Sequence, residues 1–154
     1  MSASQLSDIY NFLQIADGTG TAGQPTTAQL AAVKAAGYDV VINLATGATP
    51  RDLPNEAEKV SEHGMEYVHI PVVWDNPTAA DLAKFFDAMD ENRNKQRFVH
   101  CIANMRVSAF MFLYRVLRQD VPLEEARATM NQLWEPNATW QKFIDAALAR
   151  EGHK

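Results

Sequence analysis

The segment FVHCIANMRVS, residues 98–108, joins an apolar run typical of a buried strand to a long helical stretch. Cys101, the only cysteine among the 154 residues, follows the apolar run, and Arg106 stands where the helix is expected to begin. The N–H groups at the start of a helix and a guanidinium both favour negative charge, and such surroundings stabilise a thiolate. The segment therefore predicts cysteine chemistry on an anionic group, with a phosphate ester as the leading hypothesis.

The rest of the chain alternates strand-like and helical segments. Short apolar runs predict strands at 39–44, 66–70 and 97–101. Apolar residues at helical spacing predict helices at 25–36, 55–63, 79–92, 107–118, 123–133 and 139–150. Before them we expect an amphipathic, helical N-terminal segment and then a loop at 16–24. This alternation predicts an α/β fold with a central, mostly parallel sheet flanked by helices and a C-terminal helical layer.

The predicted helix at 107–118 is apolar on nearly all sides, since it reads VSAFMFLYRVLR. A helix of this kind is buried. Its N-terminus would then point at the Cys101 loop from inside the protein, where little water screens its charge. We expect a core helix that also supports the site.

Composition excludes several classes of function. Fourteen basic and nineteen acidic residues leave a formal net charge of −5, which disfavours binding to nucleic acid or to a membrane surface. No apolar run approaches the ~18 residues of a membrane span, and the first eight residues lack the features of a signal peptide. A single cysteine cannot form an internal disulfide, so a reducing cytoplasm is the expected location. The length predicts one domain spanning residues 1–154.

Four segments carry a resemblance to a known family: AGQPT at 22–26, VINL at 41–44, YVHIPV at 67–72, and VHC at 99–101 followed by Arg106. In this order and spacing, over roughly residues 10–120, the chain resembles the protein tyrosine and dual-specificity phosphatase superfamily. It is most similar to a small bacterial branch of phosphatase-like domains whose function is poorly assigned. The resemblance implies an α/β layer fold with a mostly parallel central sheet, in agreement with the pattern of segments.

The signature of that superfamily is His-Cys, five intervening residues, Arg, and then Ser or Thr. Here only four residues separate Cys101 from Arg106, although Ser108 stands where the hydroxyl residue of the family would be. Either the loop is one residue shorter, or it keeps its length and Arg106 exchanges its role with Val107. One position on a helix turns a side chain by about 100°, so in the second case Arg106 would not face the anion. The loop has no glycine, and only Asn104 adopts a left-handed conformation easily.

The resemblance implies a role for each residue of the loop. Cys101 would be the nucleophile and form a phosphocysteine intermediate, while Arg106 would clamp two phosphate oxygens. His100 would orient the loop through hydrogen bonds and stabilise the thiolate. The residues implied in phosphate binding are Ile102, Ala103, Asn104, Met105 and Arg106. Without the resemblance, Cys101 is a small buried hydrophobic residue and Arg106 pairs with a carboxylate such as Asp75.

Asp75 is the best candidate for the general acid that protonates the leaving group. It lies on the predicted loop at 71–77, and a carboxyl on such a loop can donate a proton and later activate water. An acidic residue shortly before proline is also typical of a turn, and Asp81 and Asp52 are weaker alternatives. Ser108 would help the sulfur to leave in the second step, or else bond a backbone carbonyl within its helix.

Three functions remain open at the level of sequence. The first is a phosphatase that hydrolyses a phosphomonoester of the phosphotyrosine or dual-specificity type without a metal or other cofactor. The second is a rhodanese-like sulfurtransferase, because the six residues from Cys101 to Arg106 have the loop length of that class and suit a sulfur atom. The third is a catalytically inactive domain that binds phosphate, sulfate or a phosphorylated partner.

Other motifs argue for no additional chemistry. GTGTAG at 18–23 formally matches the G-x-G-x-x-G pattern of dinucleotide-binding proteins. That pattern needs a strand before it and an acidic residue at the end of the next strand, and neither is predicted here. We therefore expect a turn before the first helix. The histidines show no metal-ligand spacing, so no metal is expected, and the oligomeric state is left open.

Overall fold

The computed structural model of the protein describes residues 6–16 and 18–151. The strands are β1 (Leu13–Ala16), β2 (Thr19–Ala22), β3 (Val40–Asn43), β4 (Glu66–His69) and β5 (Arg97–His100). The helices are α1 (Thr27–Ala35), α2 (Glu56–Glu62), α3 (Ala79–Glu91), α4 (Met105–Arg118), α5 (Leu123–Asn131) and α6 (Ala138–Arg150). The three predicted strands and six predicted helices are confirmed, each to within two residues at either end.

The five strands form one sheet in the order β1-β2-β5-β3-β4. β1 and β2 are antiparallel, and the other neighbouring pairs are parallel, which confirms the predicted mostly parallel α/β sheet. His100 at the end of β5 aligns with Ala22 of β2 and with Asn43 of β3. Because parallel strands end at the same edge of a sheet, the segments that follow these three strands meet there. Cys101 follows β5, the middle strand of the three, and so lies between the segments that follow β2 and β3.

The prediction of a helical N-terminal segment holds only for a single 3-10 turn at Leu6–Asp8. The predicted loop at 16–24 is wrong, because Leu13–Ala16 and Thr19–Ala22 form the β1–β2 hairpin. β2 reads TGTA and has no apolar alternation, yet all four of its residues are buried. A Cβ on Gly20 would overlap the hydroxyl group of Tyr38, so only a glycine lets the strand approach that ring. The G-x-G-x-x-G match therefore lies in a buried strand and not in a phosphate-binding turn.

The threonines of β2 are held by distant partners. Thr21 Oγ1 donates a hydrogen bond of 2.7 Å to the carbonyl of Leu13. Arg97 Nη2 donates one of 3.0 Å to Thr19 Oγ1. Since buried polar groups require such partners, the strand depends on tertiary contacts that hydrophobic periodicity does not report.

Helix α4 forms the centre of the core, as its sequence predicts. Eleven of its fourteen residues are buried, and α5 and α6 pack against it. The helix begins at Met105, two residues earlier than expected, because Asn104 adopts a left-handed conformation with φ 64° and ψ 11° that turns the chain out of the preceding loop. In the described part of the chain, no helix has both the length and the apolar character required to cross a bilayer.

Candidate active site

Cys101 lies directly after the central strand β5, at the carboxyl edge of the sheet. Its backbone N–H donates to the carbonyl of Ala22 at 3.3 Å, and the residue is 1% exposed. Cys101 belongs to the hydrophobic core and also lines a cavity of about 290 Å³. The residues around this cavity are Thr49, Arg51, Trp74, Cys101, Ile102, Ala103, Met105 and Arg106. We call it the Cys101 cavity.

Arg106 lines the same cavity from the first turn of α4. It is 8% exposed, and its Nη1 donates a hydrogen bond of 2.8 Å to the carbonyl of Val72. Val107 is fully buried in the core. The side chain that reaches the cavity is thus that of Arg106 and not that of Val107, as the interpretation of a loop one residue shorter requires.

The loop between Cys101 and α4 is held by the N-terminal part of the chain. The carbonyl of Ile102 accepts a hydrogen bond of 3.0 Å from the backbone N–H of Gln24, and that of Ala103 accepts one of 2.9 Å from Asn11 Nδ2. In a trans peptide the N–H of the next residue points opposite to the carbonyl. The N–H group of Ala103 therefore points away from the backbone of Gln24, while an isolated antiparallel bridge pairs Gly23 with Ala103.

Asn104 and Gly23 fix this arrangement. The Nδ2 of Asn104 donates to the carbonyl of Asn11 at 2.8 Å and to Thr21 Oγ1 at 3.0 Å. A Cβ on Gly23 would lie 2.5 Å from the carbonyl oxygen of Ile102, so the close approach of this segment to the loop requires glycine. The left-handed asparagine foreseen in the sequence replaces the glycines that the loop lacks.

His100 is fully buried and bonded at both ring nitrogens. Its Nδ1 lies 3.1 Å from the carbonyl oxygen of Cys101, and its Nε2 lies 2.6 Å from Oε2 of Glu56. Glu56 is 5% exposed, and its Oε1 accepts a hydrogen bond of 2.8 Å from Gln24 Nε2. Sequence reasoning missed Glu56 because it lies 44 residues from His100, and an acidic residue in the first turn of a helix is otherwise unremarkable.

The acidic candidates lie in three different settings. Asp75 is exposed and does not line the Cys101 cavity, although its neighbour Trp74 does. Asp81 lies in the first turn of α3, where its N–H donates to the capping Thr78 Oγ1 at 3.1 Å, as its sequence position predicts. The structure therefore brings neither of these carboxyl groups to Cys101.

The carboxylate of Asp52 is bonded within its own loop. It accepts hydrogen bonds from the N–H of Gly47 at 3.1 Å and from the N–H and hydroxyl of Thr49 at 2.9 and 2.6 Å. Burial by itself raises the pKa of Asp52, but these bonds and the nearby charge of Arg106 outweigh it and hold the pKa below its ordinary value. A carboxyl held in its ionised form is a poor proton donor. Its evident role is to shape the loop that carries Thr49 and Arg51, two cavity residues that sequence reasoning missed.

Trp74 lines the cavity and packs against two tryptophans of the C-terminal part of the chain. The ring of Trp74 is 40% exposed and lies 5.4 Å from the ring centre of Trp134 and 5.9 Å from that of Trp140. Trp140 Nε1 also donates a hydrogen bond of 2.7 Å to the carbonyl of Trp74. The C-terminal helical layer thus holds the loop at 71–77 in place beside the cavity.

Ser108 does not line the cavity. Its hydroxyl donates to the carbonyl of Met105 at 2.9 Å and accepts a bond of 2.9 Å from Trp134 Nε1. The bond to a backbone carbonyl of its own helix is one of the two alternatives that the sequence left open. Within residues 6–16 and 18–151, no group of three or more His, Cys, Asp or Glu side chains is arranged to hold a metal ion.

Comparison with known proteins shows the family of this chain. Residues 18–145 match the model of the family described as "DSP-PTPase phosphatase fused to NAD+ Kinase". A DUF442 protein from Shewanella putrefaciens CN-32, solved as a candidate phosphatase, is 36% identical, with a TM-score of 0.87 over 99% of this chain and 100% of that one. The chain belongs to this phosphatase family. It is accordingly a member of the tyrosine and dual-specificity phosphatase superfamily, as the resemblance of its motifs implies.

More distant structures share the fold of this phosphatase-family chain. The core catalytic domain of the PP-IP phosphatase SIW14 from S. cerevisiae, solved with citrate, is 16% identical, with a TM-score of 0.76 over 94% of this chain and 87% of that one. TpbA from P. aeruginosa, solved with pTyr, is 12% identical, with a TM-score of 0.72 over 99% of this chain and 96% of that one. The comparison with curated protein sequences found no match.

Proposed function

We propose that this chain hydrolyses phosphomonoesters, with Cys101 as the nucleophile. The observation that carries the proposal is that Cys101 and Arg106 line one cavity at the start of the buried helix α4. A helix start and a guanidinium together provide a site for a dianion. Membership of a phosphatase family supports the same conclusion.

The reaction takes place in two steps. In the first, Cys101 Sγ bonds to phosphorus while the bond from phosphorus to the leaving oxygen breaks, which gives a phosphocysteine. In the second, water attacks phosphorus and the sulfur leaves, which releases inorganic phosphate. Arg106 and the loop N–H groups bind the equatorial oxygens, and their interaction is strongest in the transition state.

Arg106 has donors available for this role. Only its Nη1 is engaged, by the carbonyl of Val72, and the other guanidinium N–H groups make no hydrogen bond to another described residue. The N–H group of Ala103 points away from the backbone of Gln24. We assign phosphate binding to residues Ile102, Ala103, Asn104, Met105 and Arg106, as the sequence suggests.

The leaving oxygen requires a proton, and we assign its donor to Asp75. Asp75 directly follows Trp74, which lines the cavity, and is the only acidic residue of the loop at 71–77. Asp52 is less suited because its pKa is held low. The contribution of Ser108 in this proposal is to hold Met105, through the bond to its carbonyl.

The short loop also favours a second candidate, sulfur transfer. Six residues from Cys101 to Arg106 suit a small sulfane sulfur, and that reaction needs no general acid. A thiol nucleophile of either kind must stay reduced, and we propose a cytoplasmic location for this reason. The proposed partners are a phosphorylated substrate or an inorganic anion, in keeping with the citrate and pTyr found with the two distant structures.

Parallel assays separate the candidates. Wild-type protein and Cys101→Ser are incubated with an aryl phosphate, and in a second assay with thiosulfate and cyanide. Phosphate release that is lost in Cys101→Ser supports the phosphatase, whereas thiocyanate formation supports the sulfurtransferase. If neither product forms but phosphate raises the Tm of the wild type, the chain is an anion-binding domain and the proposal is wrong.

A further inference from the structure

A series of hydrogen-bonded polar side chains, with His100 and Glu56 buried and Gln24 half-buried, adjoins Cys101 without lining its cavity. Gln24 Nε2 donates to Glu56 Oε1 at 2.8 Å, Glu56 Oε2 lies 2.6 Å from His100 Nε2, and His100 Nδ1 lies 3.1 Å from the carbonyl oxygen of Cys101. The members come from the segment after β2, the first turn of α2 and the last residue of β5. These hydrogen bonds thus connect three separate elements to the backbone of Cys101.

The partners of His100 determine where its protons lie. A carbonyl oxygen only accepts hydrogen bonds, so Nδ1 must carry a proton to bond Cys101. An ionised carboxylate likewise only accepts, so if Glu56 is ionised its partner Nε2 carries a second proton. Gln24 donates to the other oxygen of the same carboxylate, which fixes the orientation of the carboxylate against the ring.

We propose that Glu56 is a positioning residue, which holds His100 as a doubly protonated ring that fixes the carbonyl of Cys101 and adds positive charge beside the thiol. This inference rests on the proposed function, since it concerns how the Cys101 site is kept ready for an anion. A charge buried beside the loop acts through a medium of low dielectric constant and is stronger there than in water.

The other charged and titratable groups described near Glu56 and His100 are neutral or have other partners, so we assign the positioning of His100 to Glu56. Tyr67 of β4 adjoins the pair, and its pKa is raised to about 12, chiefly by burial and further by the charges of Glu56 and Asp52. Tyr67 is therefore neutral at physiological pH. Asp52 is bonded within its own loop, and Arg106 bonds the carbonyl of Val72. Glu56 is the only acid bonded to His100 among the described residues.

Glu56→Gln tests the proposal because the amide can keep a hydrogen bond to the ring while it removes the charge. The measurement is the rate at which iodoacetamide alkylates Cys101, the only thiol, across a range of pH. We expect the rate at neutral pH to fall about tenfold and the pH profile to move to higher pH. Glu58→Gln is the matched control, since Glu58 lies exposed on the same helix, and its profile should equal that of the wild type. An unchanged profile for Glu56→Gln in a folded variant contradicts the proposal.

A second measurement requires no substitution of Glu56. Correlation spectra of ¹⁵N-labelled wild-type protein report the protonation of each imidazole nitrogen, and His100→Gln assigns the His100 signals. Both ring nitrogens of His100 should be protonated at neutral pH. A neutral His100 ring in the folded wild type would overturn the proposal even if Glu56→Gln does not fold.

These readouts distinguish failure of the inference from failure of the proposed function, because alkylation requires no substrate. If the wild type releases no phosphate and Glu56→Gln still slows alkylation, the proposed function is wrong and Glu56 keeps its role. If the wild type is a phosphatase and Glu56→Gln matches it in alkylation at every pH, the phosphatase stands and the role of Glu56 is wrong.

Discussion

Arg106 Nη1 donates a hydrogen bond of 2.8 Å to the carbonyl of Val72, the residue that precedes the exposed Val73 and the cavity residue Trp74. This bond links the start of α4 to the loop that carries Asp75. It also holds the guanidinium inside the site, where α4 directs it. The cation and the loop of the candidate acid are therefore connected through one backbone carbonyl.

Replacing Arg106 with lysine should lower kcat/KM for an aryl phosphate by about two to three orders of magnitude, the usual cost of losing a transition-state donor. An ammonium cannot bond the Val72 carbonyl and two phosphate oxygens in the planar geometry of a guanidinium. The measurement is steady-state kinetics, with Arg93→Lys on the exposed surface as the control. A kcat/KM within a factor of about three of the wild type would remove Arg106 from the proposed site.

Asp75→Asn should lower turnover by about two to three orders of magnitude for substrates with a poor leaving group, because general acids contribute on this scale. It should have a much smaller effect on a substrate whose leaving oxygen needs no proton, such as 4-nitrophenyl phosphate. Phosphate binding, measured by calorimetry, should be nearly unchanged. Asp87→Asn, exposed on α3, is the control. Equal losses on both substrates would show that Asp75 does not act as the acid.

Asp52→Asn should destabilise the protein in a pH-dependent way. The pKa of Asp52 is lower in the folded than in the unfolded chain, so its contribution to stability is complete above the ordinary value of 3.8 and disappears as pH falls through the folded-state value. At pH 7 we expect a loss of about 1 kcal/mol, limited by solvent screening of this partly exposed group. Urea unfolding of both proteins at several pH values tests this, and a loss that stays constant in acid would assign the effect to packing.

Gly23→Ala should weaken phosphate binding by the Cys101 loop more than its effect on the free energy of unfolding suggests. The added Cβ would lie 2.5 Å from the carbonyl oxygen of Ile102 and 2.9 Å from the ring of Tyr10, so the loop would have to move. We expect phosphate binding to weaken at least tenfold. Gly64→Ala is the control, since its φ of 78° makes that substitution costly too, by about 1 kcal/mol, at a glycine that does not contact the loop. If both variants bind phosphate like the wild type, Gly23 does not position the loop.

Ser108→Ala should cost about 1–3 kcal/mol of stability, because it leaves the indole N–H of Trp134 without its partner. Ser108→Thr retains the hydroxyl and provides a matched comparison. In the double variant Ser108→Ala/Trp134→Phe the two losses should not add, since both remove the same bond. Denaturant unfolding measures five proteins, namely the wild type, Ser108→Ala, Ser108→Thr, Trp134→Phe and the double variant. Full additivity would mean that the bond contributes nothing.

Much of the fold could be predicted because strand and helix periods are local properties of the sequence. The central strands, all six helices and the burial of α4 follow from apolar spacing. The β1–β2 hairpin could not be predicted in this way. Its strand TGTA has no apolar pattern and is stabilised by the distant residues Tyr38 and Arg97.

The candidate site divides in the same way. Cys101, Arg106 and His100 are close in sequence, and a strand followed directly by a helix leaves them few relative positions. Glu56 comes from a helix and Arg51 from a loop, both about fifty residues away in the sequence. No local pattern indicates which surface these two side chains face. Asp75 could be assigned to a loop from the sequence, but not to a position outside the cavity.

By itself, the sequence determined that a thiol follows a buried strand and precedes a buried helix. The spacing of apolar residues along the sequence indicates both the type of element and its burial. Tertiary structure alone decided that Arg106 and not Val107 reaches the cavity, that Glu56 meets His100, and that Asp52 is bonded within its own loop. These outcomes depend on the left-handed turn at Asn104 and on how separate segments meet at the sheet edge. They are set by long-range packing, and local sequence patterns do not report contacts between distant segments.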